Sequence, residues 1–172
     1  MKFKNNLGLI GMMGSGKSTI GILIAKEIRF KFIDTDREIE KNEKKSIKKI
    51  FEEKGEKYFR EVEKKIILEL LSKNHNVFAF GGGSFLNKDI RKNIIKRTTS
   101  FWLNWKNDTL IDRIAESIKR PKVQNLTKKE LNDMINKRSV IYNEAKYKID
   151  CDDLNKNEIS KKILSLYSDE KN

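Results

Sequence analysis

The stretch from Gly11 to Ser18, Gly-Met-Met-Gly-Ser-Gly-Lys-Ser, does most to narrow what this chain can become. A glycine, four free positions and then Gly-Lys-Ser is the spacing of a phosphate-cradling loop. Glycines let successive backbone N–H groups turn inward as a concave anion nest, and the helix that follows adds its positive N-terminal end. In such a loop Lys17 reaches the outer phosphates and the Ser18 hydroxyl ligates Mg²⁺. The flanks agree with this reading. Leu7-Gly8-Leu9-Ile10 is a short apolar run suited to a buried strand, and Ile20, Leu23, Ile24 and Ile28 recur at helical spacing.

Downstream, strands and helices alternate. The pattern predicts a first helix over 17–29, a strand over 30–33 ending in Asp34-Thr35-Asp36, and one or two helical turns over 37–42. Ser46 caps a short helix that Gly55 stops, and a longer helix over 56–71 carries Phe59, Val62, Ile66 and Leu70 as its apolar stripe. Further strands are expected over 76–80, 99–103 and 147–150, and further helices over 89–97, 109–118, 127–142 and 158–167. Thr127 and Glu130 form a capping box. Alternation of this kind implies an α/β fold of three layers, a five-stranded parallel sheet flanked by helices. A length of 172 residues with a single proline and no linker composition implies one domain.

Several function classes are set aside. No apolar run is long enough to cross a bilayer and the start carries no signal-peptide pattern, so the protein is expected in the cytoplasm without a membrane partner. One cysteine, Cys151, cannot form an internal disulfide framework. The single histidine, His75, lies in a polar turn and supports no Ser-His-Asp triad. A net charge of +13 raises the possibility of a nucleic-acid partner. The lysines, however, are scattered beside glutamates and no aromatic-plus-basic motif accompanies them, so no nucleic-acid partner is expected.

In an open parallel sheet, ligands gather outside the carboxyl ends of the strands. That rule brings Gly11–Ser18, Asp34 with Asp36, and Gly81–Gly83 to one crevice. On a regular strand Asp34 and Asp36 would share a face. Two carboxylates beside a triphosphate need a cation or donors, so Asp34 is assigned to the Mg²⁺ side, through water, and Asp36 to the second substrate. Asp36 is there a positioner first and a proton acceptor second, because phosphoryl transfer passes through a loose transition state. Three successive glycines, Gly81, Gly82 and Gly83, suit either a close backbone approach to a ligand or a tight turn.

Taken together, these segments resemble the shikimate kinase family of P-loop kinases, which have the nucleoside monophosphate kinase-like fold, over nearly the whole chain. The matching pieces are Gly-Ser-Gly-Lys-Ser-Thr at 14–19, Phe-Ile-Asp-Thr-Asp at 32–36, Ser-Ile-Lys-Lys-Ile-Phe at 46–51 and Gly-Glu-Lys-Tyr-Phe-Arg-Glu-Val-Glu at 55–63. Gly81–Gly83, Arg120-Pro121, and Arg138 with Tyr142 follow in order. The resemblance implies ATP-dependent phosphorylation of the 3-hydroxyl of shikimate, on the route to chorismate and the aromatic amino acids. It implies that Gly14, Ser15, Gly16, Lys17, Ser18 and Thr19 hold the ATP phosphates, with Ser18 and Asp34 on Mg²⁺. It places Asp36 on the ring hydroxyls, Arg60 and Arg138 on the carboxylate, and the Gly81–Gly83 backbone beside the substrate. Arg120 would close over the transferring phosphate from a lid at about 118–126, making Lys17, Asp36 and Arg120 the catalytic set. Arg113 and Asn155 match positions beside adenine, and the segment at about 34–63 matches the substrate-binding insert.

The chain departs from the family pattern at three points. Lys122 and Val123 stand where two leucines usually follow Arg-Pro, Lys156 stands where a proline often follows the asparagine, and lysine is unusually abundant. A monomer is expected. The alternatives are a related small-molecule kinase, such as a gluconate kinase, on the same scaffold, or a nucleotide-gated nucleic-acid binder.

Overall fold

A computed structural model describes residues 6–116 and 126–169. Five strands, β1 (Asn6–Ile10), β2 (Lys31–Asp34), β3 (Asn76–Ala79), β4 (Thr99–Asn104) and β5 (Tyr147–Asp150), form one sheet in the order β2-β3-β1-β4-β5. Every pairing is parallel, and Gly8 stands opposite Phe78 on one side and Ser100 on the other. Burial explains the strand sequences. The three central strands are apolar on both faces and buried along almost their whole length, whereas edge strands β2 and β5 leave residues in water.

Among the described residues seven helices cover the sheet: α1 (Lys17–Glu27), α2 (Thr35–Glu43), α3 (Ile47–Leu70), α4 (Lys88–Arg97), α5 (Asn107–Glu116), α6 (Lys128–Tyr142) and α7 (Lys156–Asp169). Helix α1 packs on α7 and β3, α2 on α3, and α6 on α5. Ile20, Ile24 and Ala25 are the buried face of α1, while Leu23 and Ile28 sit at its margin. The two helices expected on either side of Gly55 are both present within the span of α3 and meet at a kink, where Gly55 leaves helical geometry at φ 76 and ψ 174. Only glycine enters that region without steric cost. The capping box of Thr127 and Glu130 is present, and a short 3₁₀ turn at Ser84–Leu86 follows the glycine run unforeseen.

Because β1 is the central strand, the loop that leaves its carboxyl end opens over the middle of the sheet. β2 and β3 lie to one side of it and end in Asp34 and in the run up to Gly81. Among the described residues, no helix is long and apolar enough to cross a membrane. Cys151 is buried, and its Sγ–H donates to the Ile149 carbonyl. His75 is exposed at the turn before β3, edge-on to Phe30.

Candidate active site

The loop after β1 has the geometry of an anion nest. Gly11, Gly14 and Gly16 have φ of 144°, 78° and 87°, so a Cβ at any of them would strain the backbone. Helix α1 starts on Gly16, which has no side chain to cap its first amides, and no acidic residue stands in its first turn. Its positive end is therefore uncompensated and suited to a polyphosphate. The Lys17 ammonium lies over the loop, donating to the carbonyls of Gly11 (2.8 Å) and Met12 (2.7 Å) and to Ser15 Oγ (3.3 Å). Neutral carbonyls hold an ammonium less strongly than phosphate oxygens do, so the same side chain can pass to an anion in the nest.

Asp34 closes the next part of the site. Its Oδ2 accepts from Ser18 Oγ at 2.7 Å, and its Oδ1 accepts from the amides of Asp36 and Arg37. Asp34 is thus the last residue of β2 and the N-cap of α2 at once. The expectation of two carboxylates on one strand face is corrected here, since the strand ends at Asp34 and Asp36 belongs to the first turn of α2. Both side chains still line one cleft of about 260 Å³, with Gly16, Lys17, Ser18 and Gly81 among its other walls. Thr35, buried between them, accepts from the Gly81 amide at 3.0 Å and so fixes α2 to the end of β3.

The glycine run is where the parts converge. A Cβ on Gly81 would collide with Asp36 Oδ1, one on Gly83 would lie 2.9 Å from Arg60 Nη1, and one on Gly82 would lie 3.3 Å from the Met13 amide. Side chains and the phosphate loop press on these residues, so a Cβ at any of the three would require a neighbour to shift. Arg60 reaches them from α3, held by Glu63 at 2.7 Å and Glu56 at 3.2 Å. Burial pulls the Arg60 pKa down, but the two carboxylates outweigh it and the group is held above its usual range. Glu63 is 1% exposed and its other oxygen accepts from Ser84 Oγ at 2.8 Å. On α6, Arg138 Nη1 lies 3.8 Å from the Met12 sulfur, and the Tyr142 hydroxyl donates to the Gly82 carbonyl. Burial raises the Tyr142 pKa, against a lowering by Arg138, so the phenol stays a donor at neutral pH.

On the other side of the loop, Arg113 of α5 packs near Gly14, whose added Cβ would lie 3.6 Å from the Arg113 Cβ. The Arg113 guanidinium stands 3.6 Å over the ring of Trp105. Asn155 caps α7, its side-chain oxygen accepting from the amides of Asn157 (2.9 Å) and Glu158 (3.1 Å).

Comparison with known proteins decides the family. The shikimate kinase family model matches residues 13–168. The chain belongs to the shikimate kinase family. It is 38% identical to the shikimate kinase of Persephonella marina over 92% of this chain and 96% of that one. It is also 38% identical to that of Bacillus subtilis, over 94% and 88% respectively. Among solved structures, the shikimate kinase of Acinetobacter baumannii in complex with shikimate superposes with a TM-score of 0.91 at 31% identity, covering 97% of this chain and 94% of that one.

The shikimate kinase fold therefore gathers the residues singled out above from five separate stretches of sequence. Lys17, Ser18, Asp34, Asp36 and Gly81–Gly83 share one cleft or its wall, Arg60 abuts Gly83, and Arg138 abuts the phosphate loop at Met12. Arg120, with Lys122 and Val123 of the expected lid, lies outside the described residues. Two contributors were missed in the sequence. Glu63 falls on the buried stripe of α3 with Phe59, Ile66 and Ile67, and a carboxylate at such spacing was the available signal. Trp105 carried none, because Asn104-Trp105-Lys106 is a strand-to-helix junction without periodicity. A larger cleft of about 370 Å³ between β4, β5 and α6 shares Trp105 with this neighbourhood. Its Asp152 is committed to capping α5, through the Lys106 amide and the Thr109 hydroxyl, both at 2.7 Å.

The donor set at Ser18 and Asp34 fits a small hard cation. Mg²⁺ is usually held by one or two carboxylates together with substrate phosphates, and these two oxygens meet at the mouth of the nest.

Proposed function

We propose that this chain transfers the γ-phosphoryl group of ATP to the 3-hydroxyl of shikimate, giving shikimate 3-phosphate and ADP. The observation that carries the reading is the convergence on Gly81–Gly83 of the phosphate loop from one side and Asp36 with Arg60 from the other. A polyphosphate held in the nest and a small acid held by these side chains would face each other across that backbone. Family membership makes the acid shikimate rather than gluconate, and the same match disfavours a nucleic-acid binder.

The residue roles follow from chemistry. Gly14 to Thr19 bind the phosphates with main-chain amides, and Lys17 leaves its loop carbonyls to neutralise the outer phosphates. Ser18 and Asp34 would hold Mg²⁺, whose charge stabilises the polyphosphate when bound. Asp36 orients the attacking hydroxyl and accepts its proton late, since an unperturbed carboxylate is far too weak a base to remove it beforehand. Arg60 and Arg138 clamp the carboxylate through paired N–H donors, a geometry that lysine cannot reproduce. Arg113 and Asn155 flank the base. Arg120 closes over the transferring group, a role that rests on the sequence resemblance alone. The enzyme is read as a one-domain cytoplasmic monomer.

The test is ADP release with shikimate, gluconate and other hydroxylated acids at saturating Mg-ATP. A rate with shikimate well above the rest is expected. No rate with shikimate beside a good rate with another acid would overturn the assignment.

A further inference from the structure

Trp105 occupies a junction between the two halves of the nucleotide site. Its indole Nε1–H donates to the Ser15 carbonyl at 3.0 Å, inside the phosphate loop. Ser15 is itself fully buried, so that bond ties an otherwise hidden turn of the nest to the start of α5. The face of the same indole lies 3.6 Å from the Arg113 guanidinium. Trp105 is 7% exposed and its neighbours leave it little freedom, so the ring is a fixed plate. A planar cation laid on a fixed aromatic plate becomes a plate in turn. Arg113 is half-buried and begins beside Gly14, within one residue's reach of the nest.

We propose that Trp105 is a positioning residue that holds Arg113 flat as the stacking platform for the nucleotide base, while its N–H separately fixes the loop that holds the phosphates. That Arg113 lies against the base belongs to the proposed ATP site, on which the inference rests; what goes beyond it is the part of Trp105. The two contacts of one side chain make separable contributions. The ring acts on the base through Arg113, and the N–H acts on the phosphates through Ser15.

Calorimetric titration of the intact enzyme with ADP and inorganic pyrophosphate reads the two apart, because pyrophosphate carries no base. The ratio of ADP to pyrophosphate affinity is the quantity that matters. Arg113→Ala is expected to lower that ratio roughly tenfold, as loss of one stacking partner does, and Arg113→Lys, which keeps the charge without the plane, should lower it nearly as far. Trp105→Leu keeps apolar bulk but removes both contacts, so ratio and pyrophosphate affinity both fall. Trp105→Phe keeps a ring but no N–H, so pyrophosphate affinity falls while the ratio is retained.

An unchanged ratio in Arg113→Ala overturns the proposal. So does an equal loss of ADP and pyrophosphate in that variant, which would make Arg113 a phosphate ligand. A Trp105→Leu protein that folds and keeps the ratio also defeats it. Should Trp105→Leu not fold, the Arg113→Lys and Trp105→Phe pair decides the matter alone. None of these titrations contains the acceptor acid, so failure of the shikimate assignment leaves them readable.

Discussion

The hydroxyl of Ser18 donates to Asp34 Oδ2 at 2.7 Å, and the other oxygen of that carboxylate caps helix α2 through the amides of Asp36 and Arg37. One side chain thus links the nucleotide loop to the helix that carries Asp36. Asp34→Asn separates these duties, because asparagine caps a helix about as well as aspartate but brings no negative charge to a cation. The variant is expected to melt within a few degrees of the parent, with the Mg²⁺ concentration for half-maximal rate raised roughly tenfold or more. Asp34→Ala should in addition lose about 1 kcal/mol of stability with the cap. A Mg²⁺ titration of the rate beside a thermal melt checks both. An unchanged titration in Asp34→Asn would remove Asp34 from the metal.

Gly81 and Gly83 differ in what stands behind them. At Gly81 the obstacle is Asp36 Oδ1, on a side chain at the first turn of α2 whose place in the cleft matters for the acceptor hydroxyl. At Gly83 it is the far end of the long Arg60 side chain, 2.9 Å from the added carbon. A methyl group at Gly81 therefore displaces the positioning carboxylate, while one at Gly83 asks only that a guanidinium shift by a few tenths of an ångström. Gly81→Ala should reduce kcat at least tenfold, with the KM for ATP little changed. Gly83→Ala should act mainly on the KM for shikimate. Steady-state kinetics with each substrate varied in turn would show this. Equal behaviour of the two variants would mean that the run serves only as a turn.

The Arg60–Glu63–Ser84 chain predicts an asymmetry between two truncations. Glu63 is buried, and Arg60→Ala leaves its carboxylate with Ser84 as the partner that remains among the bonds described. Removing one member of a buried pair costs on the order of 3 kcal/mol, less here because the Arg60 side chain is 32% exposed. Arg60→Lys keeps a cation near Glu63 but loses the fork. Its melting temperature should stay near the parent's while the KM for shikimate rises at least tenfold. Arg60→Ala should lose both stability and substrate affinity. A lysine variant with normal shikimate affinity would take Arg60 out of the carboxylate clamp.

Much of this site was legible in the chain because its requirements are local. Gly11, Gly14 and Gly16 must be glycine for backbone reasons alone, and the apolar runs beside them set the strand and helix. Asp34 was placed with Ser18, to which it is hydrogen-bonded, yet its capping duty, which turns the chain into α2 two residues early, was not seen. A strand end and a helix start look alike when both are polar. The glycine run was read as a close approach to a ligand or a tight turn, whereas the groups that crowd Gly81 and Gly83 are Asp36 and Arg60 from elsewhere in the fold. Trp105 was out of reach for the same reason, since its two partners, Ser15 and Arg113, lie ninety residues before it and eight after it.

Cys151 supplies a pH dependence. Burial, with Asp150 and Asp152 adding to it, pushes the thiol up to about 12. In the unfolded chain a cysteine titrates near 8.5. Between those values the folded state keeps its proton while the unfolded state has lost one, so stability falls as pH rises through that window. The loss amounts to as much as about 1.4 kcal/mol per pH unit from this group. Tyr167, also pushed up to about 12 by burial, joins only above about pH 10, where an unfolded tyrosine begins to ionise. Urea unfolding at pH 7, 9 and 10 should therefore show a decline that is shallower between pH 9 and 10 in Cys151→Ala. The native thiol should also resist an alkylating reagent at pH 8 and react once the chain is unfolded. Rapid labelling of the folded protein, or an unaltered slope in the alanine variant, would mean that Cys151 is not held as a buried neutral thiol.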